Sequence, residues 1–115
     1  LQHLPTGKVR LLATSGAARN KFAPDVATFA EQGFKDIVFD EWFGVYMPGN
    51  APADVVSRTS TAVRAALSAP DVVEALAKMG LEARPSTPAE LAALLKKDSE
   101  RWAPLVKQIG FTADS

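Results

Sequence analysis

The 115-residue sequence contains no cysteine and a single histidine, His3. The first absence excludes disulfides, thiolate metal sites and a cysteine nucleophile, and it fits a reducing or an oxidising compartment equally. The lone histidine stands at the very start of the chain and reads as solvated rather than catalytic. Long apolar runs are lacking as well, none approaching the roughly 20 residues that span a bilayer as a helix. Charge of one sign is also missing, because thirteen basic residues balance thirteen acidic ones. No whole-chain field therefore draws nucleic acid or an anionic membrane. A local anion site survives that balance, since a few amide donors do not register in net charge. The opening Leu1-Gln2-His3 has neither an initiator methionine nor the charged-then-apolar layout of a signal peptide. It reads as the beginning of a segment cut from a longer protein.

Catalytic sets are missing too. There is no Gly-x-Ser-x-Gly elbow, no phosphate loop, no Gly-x-Gly-x-x-Gly and no His-rich metal spacing. Asp40 and Glu41 are adjacent in an extended run, so their carboxylates point to opposite faces and cannot share a substrate. They read as solvated charges near a strand end. Lys96 and Lys97 lie among Asp98, Glu100 and Arg101 and read as a solvated helix face. The residues thus favour binding over chemistry, with no cofactor and no metal implied.

What is present is ordinary globular composition, 47% hydrophobic and 23% charged, which excludes a disordered chain. Val9-Arg10-Leu11-Leu12-Ala13 is a short apolar run that predicts a buried strand, broken by Thr14-Ser15-Gly16. Asp25 predicts the cap of a short helix through about Gln32, with Gly33 as its left-handed stop. A second strand is predicted from Val38 to Met47, apolar on both faces as in a sheet covered on two sides, and ended by Pro48-Gly49-Asn50. Pro52 suits the start of a helix whose apolar face is Val55, Val56, Val63, Ala66 and Leu67. Pro70-Asp71 opens another, through Met79, which Gly80 closes. Leu81 to Arg84 reads as a short edge strand. Thr87-Pro88-Ala89-Glu90 spells a capping box, and Leu91, Leu94, Leu95, Trp102, Leu105 and Ile109 follow at helical spacing. Pro104 is expected to kink or restart that helix. The fold class is α/β: a short mixed sheet flanked by helices.

Two features are candidates for a ligand site. Thr14, Ser15 and Gly16 close a buried strand, where α/β proteins place ligand loops, and hydroxyls and amides there can donate to a carboxylate. Read blandly, the same residues are a turn that needs small side chains. Trp42-Phe43-Gly44 offers a ring to wall a pocket and a glycine that lets another backbone approach. Its bland reading is core packing, which is also how Trp102 is read.

The order of these pieces resembles the Bug family, the substrate-binding proteins of tripartite tricarboxylate transporters. The resemblance runs through Gly7 to Gly16, Arg19, Pro24-Asp25-Val26, Thr28 and Glu31-Gln32-Gly33. It continues in Glu41-Trp42-Phe43-Gly44, Met47-Pro48, Pro52, Pro70-Asp71-Val72, Leu76 and Gly80. Ser86-Thr87-Pro88-Ala89-Glu90-Leu91, Trp102 and Gly110-Phe111 complete it. No single piece is diagnostic, whereas the ordered ensemble covers nearly the whole chain. Ala27 departs from a common proline, and Gly49-Asn50-Ala51 replaces a common Ala-Gly-Thr, removing a hydroxyl cap before Pro52.

The resemblance implies a type II periplasmic binding protein of two lobes that closes over a small organic anion. The solute is then a dicarboxylate, tricarboxylate, acidic amino acid or aromatic acid, delivered to membrane transporter subunits. Residues 1–115 would be the C-terminal segment, mainly of the first lobe, with Thr14, Ser15 and Gly16 at the interlobe edge and Trp42 or Phe43 approaching it. Such a segment alone is expected to expose apolar surface, to self-associate and to bind ligand weakly. A second reading stays open: a small α/β protein-interaction module, or an accessory domain of an enzyme.

Overall fold

In the computed structural model, which describes residues 3, 4 and 6–112, three helices carry the regular structure. The expectation attached to Leu1 and Gln2 lies outside the described residues. Helix α1 spans Ala53–Leu67, α2 Pro70–Lys78 and α3 Pro88–Ile109. No helix among the described residues is long and apolar enough to cross a membrane. The chain divides into two units, Leu1–Val45 with Ala69–Ala83, and Tyr46–Ser68 with Arg84–Ser115.

The helix boundaries follow local chemistry. Proline fixes φ near its helical value and lacks the amide hydrogen that a first turn leaves unpaired. Pro70 and Pro88 accordingly stand in the first turns of α2 and α3. Pro52 instead is the N-cap of α1, with φ −58° and ψ 142° and no side-chain cap, so the lost hydroxyl is not replaced by another protein side chain. At the start of α3 the capping box is complete. The Glu90 N–H donates to Thr87 Oγ1 at 3.2 Å, and the Thr87 N–H donates to Glu90 Oε2 at 2.7 Å. Leu81 N–H to Leu76 O and Gly80 N–H to Ala77 O, both 2.9 Å, close α2 around a left-handed Gly80.

Pro104 does not end α3, which runs on to Ile109. The reason is its position: at helical spacing it falls on the side of Lys96, Lys97 and Glu100, away from the apolar stripe Leu91, Leu94, Leu95, Trp102, Leu105 and Ile109. The Glu100 carbonyl that loses its partner therefore faces water.

The expected mixed sheet is not formed among the described residues. Residues 9–13, 38–47 and 81–84 carry no strand, and pairing amounts to one isolated parallel bridge between Thr14 and Thr28. Apolar pattern alone makes a segment extended; a strand also needs a neighbour in register over several residues. Here the first run is met by the Gln32 side chain at Leu12 O, and backbone pairing starts only beyond it, at Thr14 and Ser15.

The predicted helix from Asp25 to Gln32 shrinks to a single turn. Ala27 O accepts the Thr14 N–H at 3.2 Å and Phe29 N–H donates to Thr14 O at 2.9 Å, so the backbone at 27–29 is committed to the bridge. Helical bonding begins only at Thr28, whose carbonyl accepts the Gln32 N–H at 3.2 Å. Gly33, at φ +99°, stops it as expected, because the left-handed turn that follows penalises any Cβ.

Candidate functional site

The Thr14–Gly16 turn is held by neighbours on two sides. Two bonds join Thr14 to residues 27 and 29, and the Ser15 carbonyl accepts the Phe39 N–H at 2.8 Å. Pinning a turn through its own backbone fixes where its side chains and the next amide stand, which is what a preorganised binding loop requires. Thr14, Ser15 and Gly16 are each half-buried. The Thr14 hydroxyl is buried and has no hydrogen-bond partner among the described residues. An unmet buried hydroxyl costs about 1–3 kcal/mol.

Gly16 is where the backbone comes close to its surroundings. A Cβ there would lie 3.0 Å from the Ala18 carbonyl oxygen and 3.2 Å from Asp40 Oδ1. The Asp40 carboxylate therefore sits on the would-be side-chain flank of Gly16. Asp40 is exposed, as expected of a solvated charge, but nothing local in the sequence announces that residues 39–40 fold beside residues 15–16.

Trp42 and Phe43 fare differently. Trp42 is half-buried, whereas Phe43 is 75% exposed, so the ring expected either to pack in a core or to wall a pocket faces outward here. The structure brings Phe39 and Asp40 to the turn, and it places Trp42 and Phe43 in the same unit. No group of His, Asp or Glu among the described residues is arranged to hold a metal ion.

One network escaped the sequence reading. Thr28, only 2% exposed, heads a second capping box: its N–H donates to Glu31 Oε2 at 2.7 Å and its Oγ1 accepts the Glu31 N–H at 3.1 Å. Arg19 Nε donates to both oxygens of the same carboxylate, at 3.0 and 3.1 Å, and Arg19 Nη1 donates to Pro24 O at 3.3 Å. The Thr28 N–H bond, then the Arg19 bonds and charge, hold the Glu31 carboxyl below its ordinary range. The signal was available, since Thr28-x-x-Glu31 has the spacing of Thr87-x-x-Glu90.

Comparison with known proteins places this arrangement in a family. Residues 1–111 match the model described as "Tripartite tricarboxylate transporter family receptor". The chain is 34% identical, over 98% of its length, to the UPF0065 protein in the tcbD-tcbE intergenic region of Pseudomonas sp. (strain P51), covering 34% of that protein. It is 30% identical over 96% of its length to protein BugT of Bordetella pertussis, covering 34% of it. The solved structure of the periplasmic binding protein BugD is similar over 95% of this chain and 37% of its own, with a TM-score of 0.79 at 30% identity. The chain thus spans about a third of the length of these relatives.

Proposed function

The chain belongs to the tripartite tricarboxylate transporter receptor family, and from that membership we propose that it serves an extracytoplasmic solute-binding protein which captures a small organic carboxylate for uptake. On this reading residues 1–115 form the C-terminal segment of a two-lobed binding protein, mainly its first lobe, working in the periplasm. The solute is a dicarboxylate, tricarboxylate, acidic amino acid or aromatic acid, and the receiving partners are membrane transporter subunits.

The observation that carries the proposal is the pinned Thr14–Gly16 turn, fixed by three backbone bonds to two other segments. A carboxylate bound by Ser15 Oγ and loop amides needs such fixed donors, because hydrogen bonds made without reorganisation retain most of their charge-assisted strength. Thr14 then supports the loop, and Trp42 and Phe43 contribute apolar wall.

The test is a thermal-shift screen of the complete gene product against succinate, citrate, glutamate and benzoate. Stabilisation by at least one acid, rising with its concentration as mass action requires, is the expected result. Uniform failure of all four classes would remove the support for carboxylate capture.

A further inference from the structure

Arg19, Thr28 and Glu31 share no catalytic pattern in the sequence, yet the structure joins Arg19 and Thr28 around the Glu31 carboxylate. Glu31 holds the Thr28 N–H at 2.7 Å and both contacts from Arg19 Nε. Arg19 in turn reaches Pro24 O, and Gly33 ends the single turn that Thr28 begins. The two residues flanking Thr28 are those that grip Thr14, through Ala27 O and the Phe29 N–H. Gln32, next to Glu31, adds a separate tie, its Nε2 donating to Leu12 O at 2.8 Å. Glu31 is thus linked toward the candidate site by hydrogen bonds through the backbone at 27–29 and, separately, by the neighbouring Gln32 side chain.

We infer that Arg19 and Glu31 form a positioning clamp, which fixes residues 27–29 and through them sets the place of the Thr14–Gly16 turn. This rests on the reading of that turn as the edge of the solute site. The clamp also assigns Arg19 a role other than the obvious one. A cation near an anion site invites a direct salt bridge, but the Arg19 Nε is engaged by Glu31 and one terminal nitrogen by Pro24 O. Arg19 therefore acts on the turn through Glu31.

A short single turn needs such help. One turn of helix fixes several dihedrals for one or two hydrogen bonds, so it is unfavourable alone. The capping box and the Gly33 stop together supply what length does not, and the Arg19 charge keeps the Glu31 carboxylate oriented toward the Thr28 amide.

The experiment compares wild type, Glu31→Gln, Glu31→Ala and Arg19→Gln in the complete gene product. It reads amide hydrogen exchange at Thr14 and Phe29, and calorimetric affinity for succinate, citrate, glutamate and benzoate. Glu31→Ala is expected to speed exchange at both amides by about tenfold, with an affinity loss of similar size. Glu31→Gln keeps an acceptor for the Thr28 N–H and is expected to fall between it and wild type. Arg19→Gln leaves the capping box intact, so it reports on the clamp even where Glu31→Ala fails to fold; faster Phe29 exchange is expected there as well. Unchanged exchange at Thr14 and Phe29 in both Arg19→Gln and Glu31→Gln overturns the clamp, even with a solute bound. Faster exchange in a protein that binds none of the four acids upholds the clamp and overturns the site reading instead.

Discussion

At the scale of single residues, three positions carry the account, and each is defined by what surrounds its backbone. Thr14 is bonded on both sides of its peptide and buries its hydroxyl. Gly16 lies against the Ala18 carbonyl and the Asp40 carboxylate, with room for no Cβ unless they shift. Asp40 was in plain view in the sequence, but its neighbour was not, because a contact between residues 16 and 40 leaves no local pattern.

At the scale of elements, the helices were legible and the strands were not. Helix starts and stops are written in residues one to four positions apart: Pro at the first turn, Thr with Glu three later, Gly in the left-handed stop. That grammar located α2 and α3 in the sequence, and it also located the turn at 28–33 once Thr28 rather than Asp25 is taken as its head. Pro104 does not restart α3, which is continuous through it, and the helix expected from Asp25 gives way to a single turn. Extended runs depend on partners distant in sequence, so Val38 to Met47 could be identified as apolar and extended while its pairing could not.

Both capping boxes predict a measurable acid response. Thr87 holds Glu90 below its ordinary pKa of 4.5, chiefly through its N–H and then its hydroxyl, as Thr28 and Arg19 hold Glu31. A carboxyl depressed in the folded state stabilises fully above its unfolded pKa, and that contribution is lost as pH falls through the lower folded value. The loss therefore falls below pH 4.5. Thr87→Ala is expected to lower the melting temperature at pH 7 by roughly 3–6 °C, the effect of about 1 kcal/mol for a lost cap. Glu90→Gln, which has no carboxyl to titrate, is expected to lose melting temperature less steeply than wild type between pH 5 and pH 3, which differential scanning calorimetry reads directly. Parallel curves for the two proteins would show that the box does not contribute as described.

At the scale of the molecule, the chief fact is how little is buried. Among the described residues only Ala23 and Thr28 are fully enclosed, while Val9, Leu12, Phe43, Val45, Met79 and Ile109 are all more than half exposed. Exposed apolar runs with few paired strands invite association. The 115-residue chain is therefore expected to sediment as a dimer or larger species at high concentration, and a stable monomer would contradict that expectation. The sequence could show which side chains are apolar and in what order, but not which of them would find cover.

The claim at the centre of the account is that the Thr14–Gly16 turn is an edge of a carboxylate site. Its most direct test is isothermal titration of the complete gene product with whichever of succinate, citrate, glutamate or benzoate stabilises it, comparing wild type with Gly16→Val. The account predicts measurable binding by wild type and a loss of at least about tenfold in the variant, since a branched side chain displaces the turn from Ala18 and Asp40. A folded Gly16→Val protein that binds the same acid with wild-type affinity would contradict it.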